Sequence, residues 1–431
     1  MKLPERPPNW KTLLEKEPKK ISEIFKDKAL FQTVSGFNKR YLYWSELKYR
    51  VTDKNQTKYL WAFMKLLRSD KYEAISFKSI AMKYTLLSDL NRSLNQCDKS
   101  LAGNIGIQTK SLGLQKRYIV SSLMEEAIAS SMIEGASTTR KVAKEMLRKK
   151  RKPVTESEKM IVNNYETMQY VLEQKEKTLT PEFLIEIQKR ITKGTLEDPL
   201  DEGRYRNTDD VVVGDRLDPA VIAYVPPDYK KVPELIEEVC AFANSDSEDF
   251  LHPILKAVTL HFLIAYIHPF NDGNGRTARS IFYWYLISKG YWLFEYLSVS
   301  RIIVRSRKQY DLAYLYTEYD EMDLTYFFQY NLRCVTEALK ELDAYIKKKQ
   351  AEQDDTRKLI SDHPELNLRQ SMIVEEFLRN PTKVFTIKEI SELYKVVNQT
   401  ARTDLLLLEK KGFITKHVDG KTFVFTYKGK E

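Results

Sequence analysis

Residues Ala257–Arg279 read A-V-T-L-H-F-L-I-A-Y-I-H-P-F-N-D-G-N-G-R-T-A-R, and the fold turns on how this stretch is parsed. The apolar run Ala257–Ile267 has the character of a buried helix, and it must stop at His268, because Pro269 disfavours helical geometry in the residue before it. A loop follows. It holds Gly273 and Gly275 around Asn274, residue types that tolerate positive φ and let successive backbone N–H groups face one concavity. After Gly275 the apolar helical pattern resumes in R-T-A-R-S-I-F-Y-W-Y-L-I, so the concavity sits at a helix N-terminus, whose partial positive charge favours an anion.

Arg276 and Arg279 are three apart and share one face of the first turn, where guanidinium groups can grip phosphate oxygens. Cations are ordinarily favoured at the other end of a helix, so two arginines here call for an anion. Asp272 is the only carboxylate in the loop and suits Mg²⁺, which takes one or two carboxylates plus phosphate oxygens. His268, at the opposite lip, is the natural acceptor of a proton from an attacking hydroxyl. Phe270 is expected to point inward and anchor the loop.

Together His268, Phe270, Asp272, Gly273, Asn274, Gly275, Arg276 and Arg279 reproduce H-x-F-x-D/E-G-N-G-R-x-x-R, and residues 106–349 resemble Fic-domain proteins. The resemblance implies a helical core whose loop binds ATP with Mg²⁺ while a hydroxyl of a target protein attacks the α-phosphate. His268 would then be the base, Asp272 the Mg²⁺ ligand, Gly273 to Gly275 the anion nest, and Arg276 and Arg279 the phosphate clamps. Residues 297–310, with Arg305, Arg307 and Tyr310, resemble the part of the family near the adenine.

A second motif lies upstream. Ser121 to Glu134 reads as a helix closed by Gly135, which places the Glu134 carboxylate at the negative end of the helix dipole. Ser130, Glu134 and Gly135 match the S/T-x-x-x-E-G/N inhibitory motif of many Fic proteins. That resemblance implies a glutamate paired with Arg279 that prevents ATP from adopting its productive pose. Some members of the family also remove AMP with the same glutamate, and others transfer UMP, phosphocholine or phosphate.

Outward from these motifs, the chain is expected to be mainly α. An N-terminal helical region covers residues 1–105, with Leu86, Leu87, Leu90 and Leu94 on one helical face. Residues 106–349 hold further helices at 156–173, 181–192, 232–244 and 253–267. Val211 to Val225 predicts a β-hairpin around G-D-R-L-D-P and resembles the family's flap, which registers the target by strand pairing. Residues 350–365 read as a linker or exposed helix end. From Leu366 the order is a helix (371–379), a short strand (384–386), two helices (387–394, 398–411) and a hairpin turning at Asp419-Gly420, which predicts a winged helix-turn-helix domain at 366–431.

The third of those helices would enter the DNA major groove, with Asn398, Gln399, Thr400, Arg402 and Thr403 at its start and Lys416 and Lys421 on the wing. Asp404, Glu409 and Asp419 dilute the basic face, so a protein-docking or dimerising role stands beside DNA binding, as does a regulator whose Fic domain only senses nucleotide. A net charge of +10 over 431 residues suits an acidic partner or a solvated lysine-rich surface. Three cysteines without paired spacing suggest neither a disulfide framework nor zinc. With no apolar leader and no bilayer-length apolar run, a soluble cytoplasmic protein is expected, without a membrane partner.

Overall fold

A computed structural model of the chain describes residues 3–102, 112–211, 213–215, 218–245, 250–379, 381–420 and 422–428. It is mainly helical and divides into two compact units, Met1–Lys340 and Glu341–Glu431.

In the first unit the N-terminal helices Trp10–Lys16, Lys28–Arg40 and Lys54–Ser69 each begin at an Asn or Asp whose side chain accepts backbone N–H groups of the first turn. Their apolar faces enclose Trp44, Trp61, Phe63 and Tyr43. This region is no separate domain. Tyr43 stacks on Tyr316 at 3.8 Å between ring centroids, and Tyr326 joins the same core. Fully buried Lys65 pairs with Asp320 at 2.8 Å, and the Tyr41 hydroxyl donates to Asp323 at 2.7 Å. Breaking that contact would strand charges out of water, so residues 3–102 are bound to the helices that follow them. The expected boundary near residue 105 therefore does not divide compact units. The four-leucine face is also corrected. The helix there is Ser88–Cys97, which buries Leu90 and Leu94, while Leu86 precedes it and is exposed.

The helices Glu156–Glu173, Pro181–Thr192, Val232–Asn244 and Pro253–Ile267 fall where the sequence pattern puts them. Thr155 and Thr180 cap the first two, and Pro181 occupies the first turn of the second. Pro253–Ile267 is apolar on nearly every side because it is buried on nearly every side, and it packs along Asn274–Ser288. The expected hairpin pairs Val213–Asp215 with Asp218–Tyr224 in antiparallel register, Val213 opposite Tyr224, with irregularities at Gly214.

The helix Thr325–Asp362 runs without a break through most of the expected linker. Its Lys, Gln, Ala, Glu and Arg residues are strong helix formers, and Asp343 pairs with Lys347 one turn on at 2.8 Å.

In the second unit, helices Leu368–Arg379, Ile387–Tyr394 and Asn398–Lys410 pack with strands Phe385–Thr386, Ile414–Asp419 and Thr422–Tyr427 around Ile373, Phe377, Ile390, Leu405, Leu408 and Phe425. Strand Thr422–Tyr427 is central in the sheet. Thr386 and Glu389 form a capping box, and Gly420 supplies the positive φ that the wing turn needs. Lys421 lies outside the described residues. Among the described residues no helix is long and apolar enough to cross a membrane.

Candidate active site

His268 ends its helix in left-handed geometry (φ 50°), with its N–H on the Ile264 carbonyl at 3.0 Å. Its Nδ1 lies 3.2 Å from the Ala265 carbonyl. A carbonyl only accepts, so Nδ1 carries the proton and Nε2 the lone pair. Burial holds the imidazole below its ordinary pKa, so at neutral pH it is an unprotonated base.

The loop beyond it is held from four sides. Asn274 turns its side chain back to accept from the Phe270 N–H at 2.9 Å and donate to the Phe270 carbonyl at 2.7 Å. Phe270 is fully buried beside Tyr205. Gln188 donates to the Asp272 carbonyl at 3.2 Å and accepts from the Gly203 N–H at 2.7 Å. Arg206, itself buried, donates from Nε to the His268 carbonyl at 2.9 Å, and its N–H reaches the Pro269 carbonyl at 2.9 Å. Sequence reasoning missed Gln188 and Arg206, since neither belongs to a local pattern. The Asn274 side chain braces the loop, which leaves its backbone N–H for the expected anion nest.

Gly273, at φ 85°, is the N-cap of Asn274–Ser288 and offers no side-chain cap. An added Cβ there would also press on the Thr192 methyl at 2.8 Å, so glycine is required twice over. The first-turn N–H groups thus open onto a concavity. Glu134 lies over it: a Cβ placed on Gly275 would overlap the Glu134 carboxylate.

Arg279 is buried. Its Nε donates to Ser130 Oγ at 2.8 Å, and its Nη2 to the Ser130 carbonyl at 3.0 Å and to Glu134 Oε1 at 2.8 Å. Its Nη1 has no hydrogen-bond partner among the described residues. Arg276 is more committed: Nη2 donates to Asp272 Oδ2 at 2.9 Å and Nη1 to the Ile191 carbonyl at 3.3 Å.

The helix bearing the upstream motif spans Leu112–Ile133, so Glu134 stands just past its last turn. Gly135 (φ 108°) closes it, with the Ala136 N–H on the Ser131 carbonyl at 3.0 Å. Arg307 answers the dipole, donating to the Ile133 carbonyl at 2.6 Å. Burial raises the Glu134 pKa, but Arg279 and Arg307 outweigh it and hold the carboxyl below its ordinary value. Four residues short of Ser130, buried Glu126 accepts from the Ser300 N–H at 3.0 Å and the Tyr283 hydroxyl at 2.9 Å, tying this helix to the one that carries Arg279. Arg305 is exposed, whereas Tyr310 is buried against His261 at 2.8 Å.

Asp272 is half exposed and has one oxygen on Arg276. Among the described residues no three His, Cys, Asp or Glu side chains gather as a metal site. A magnesium ion held by one carboxylate and completed by phosphate oxygens fits this donor set.

Residues 178–286 match the Fic/DOC family, and residues 369–425 match the DeoR-like helix-turn-helix domain. A protein adenylyltransferase Fic of Nematostella vectensis is 30% identical over 238 residues, 54% of this chain and 50% of that protein. One from Drosophila grimshawi is 31% identical over 113 residues, 26% of this chain and 21% of its own. The chain thus spans half or less of the length of these curated relatives. Among solved structures, a Fic family protein from Desulfovibrio desulfuricans G20 covers 81% of this chain and 98% of its own with TM-score 0.54 at 18% identity. Fic-1 from C. elegans covers 79% and 92% with TM-score 0.54 at 17% identity. The fold is shared with these two. Over residues 178–286, signature loop included, the chain is therefore similar to the Fic/DOC family, and over residues 369–425 to the DeoR-like helix-turn-helix domain.

Proposed function

We propose that the chain transfers AMP from ATP to a hydroxyl of a target protein, and that Glu134 holds this activity off. The observation that carries the reading is the seat of the Glu134 carboxylate, on Arg279 and over Gly275, in a concavity whose chemistry is that of a phosphate site. With Glu134 displaced, the open first-turn N–H groups and Arg279 Nη1 would face triphosphate oxygens. His268 Nε2 would take the proton of the attacking hydroxyl as its oxygen bonds to the α-phosphorus, and pyrophosphate would leave with the electrons of the broken P–O bond. Magnesium on Asp272 would offset phosphate charge. Arg276 would act by orienting Asp272, since its two terminal nitrogens are occupied there and on Ile191. A carboxylate and a phosphate compete for the same guanidinium, so inhibition and nucleotide positioning exclude one another by charge.

The test is incubation of a lysate with α-labelled ATP, Mg²⁺ and the Glu134→Gly variant. Labelled protein bands that vanish when His268→Ala is added support the reading. No labelled protein, the enzyme included, overturns it.

A second activity is supported by the C-terminal unit. Asp404 is buried, bound by Gln370 at 3.1 Å and by Arg369, so it does not dilute the basic face as the sequence suggested. Glu409 faces Lys416 at 3.7 Å and is partly neutralised. The start of Asn398–Lys410, with Arg402, is proposed to read duplex DNA. Binding that weakens steeply with salt supports this, and affinity indifferent to salt counts against it.

A further inference from the structure

Beside the flap, and separate from the nucleotide loop, lies a cavity of about 350 Å³. Its walls come from three places. Strand Asp218–Tyr224 gives Ile222 and Tyr224, the helix Pro253–Ile267 gives Tyr266, and the helix Arg307–Tyr319 gives Glu318 and Tyr319. Arg6 lines the rim. The wall is fixed by hydrogen bonds, from the Tyr224 hydroxyl to the Tyr266 carbonyl at 3.0 Å and from the Tyr319 hydroxyl to the Ala223 carbonyl at 3.5 Å.

Glu318 is the unusual member. Its Oε2 is buried and has no hydrogen-bond partner among the described residues. Burial pushes its carboxyl up to about 8, with Arg6 pulling the other way. A buried carboxyl oxygen without a hydrogen bond is costly to keep. A carboxyl framed by three tyrosines, ionised by the cation that arrives beside it, is the chemistry that receives an organic cation, through charge and through the ring faces. The chain shows the preference itself, because the Arg6 guanidinium lies 3.9 Å above the centroid of Tyr319. On the flap side, Ile222 is half exposed, and a polypeptide paired along this strand would turn alternate side chains to one face.

We infer that this cavity receives a lysine or arginine side chain of the polypeptide that docks along the flap, with Glu318 as its counter-ion and Tyr224, Tyr266 and Tyr319 as its aromatic wall. The inference rests on the reading that the flap holds a protein target, and it adds the chemical class of side chain that target must present. It selects against acidic segments there, although the net charge of +10 favours acidic partners in general.

The experiment uses the full chain without nucleotide. Three fluorescein-labelled heptapeptides of alternating threonine and valine, differing only in a central lysine, norleucine or glutamate, are titrated and followed by fluorescence anisotropy. The lysine peptide is expected to bind roughly tenfold more tightly than the norleucine peptide, and the glutamate peptide most weakly. Glu318→Gln should erase the lysine preference without lowering the thermal melt, and Glu318→Leu serves if Gln disturbs the fold. Equal affinity for lysine and norleucine, absence of binding by either, tightest binding of the glutamate peptide, or a lysine preference that survives loss of Glu318 overturns the inference. Because no nucleotide is present, failure here leaves AMP transfer untouched, and absence of labelling by the Glu134→Gly variant leaves this measurement standing.

Discussion

Glu134 Oε1 lies 2.8 Å from Arg279 Nη2, joining residues 145 apart in the chain, and the same carboxylate covers the α-carbon of Gly275. One side chain therefore occupies both the guanidinium and the helix N-terminus that a phosphate would use.

Removing it should have opposite effects on activity and stability. Glu134→Gly is expected to raise AMP transfer by at least roughly tenfold while lowering stability by about 2–4 kcal/mol, because buried Arg279 loses its counter-charge. Initial rates with α-labelled ATP and a thermal melt on the same sample check both. Faster transfer without a lower Tm would show that the ion pair is not a stabilising contact.

The pH dependence of that contact follows from its sign. The Glu134 pKa is held below its ordinary value in the folded chain, so its contribution is full above the unfolded value and is lost as pH falls through the folded one. The Tm difference between the wild type and Glu134→Gln should be constant near neutrality and shrink only below about pH 4.5. A difference that changes between pH 6 and 8 would point to another group.

Gly275→Ala offers a test of geometry. In the wild type the new Cβ meets the Glu134 carboxylate and should lower Tm. In the Glu134→Gly background only Arg279 Nη1, at 3.2 Å, still crowds the new Cβ, and alanine there should lower Tm far less than in the wild type. Additive effects in this double-mutant cycle would mean that the two residues do not touch.

His268 should show its burial in the rate profile. With its pKa lowered, the base stays unprotonated as pH falls through the ordinary histidine value near 6.5, so kcat in the Glu134→Gly background should hold level through that point and fall only below it. Arg206→Lys should lower kcat at least roughly tenfold with nucleotide binding retained, since it loosens the His268 and Pro269 carbonyls without touching the anion concavity. A KM effect alone would assign Arg206 to substrate binding.

In the C-terminal unit, Asp404→Ala should destabilise rather than improve DNA binding. It strips Arg369 and Gln370 of a buried acceptor, at a cost of about 1.5–3 kcal/mol, seen as an earlier melting transition of that unit. Tighter duplex binding at unchanged stability would restore Asp404 to the surface role its sequence position suggests.

The sequence alone was sufficient for most of the elements and for the course of the loop. Pro269 stops a helix, Gly273 permits a left-handed turn, and Asp419-Gly420 closes a hairpin, all through interactions among neighbours within a few residues. It also placed Glu134 at a helix end with an unmet need for cations. Only the tertiary structure decided that Arg307 joins Arg279 in meeting it, and that Gln188 and Arg206 brace the loop. The same holds for Asp404. A buried and an exposed Asp have one local signature. What separates them is burial and long-range partnership, which arise when distant segments pack and leave no trace in spacing.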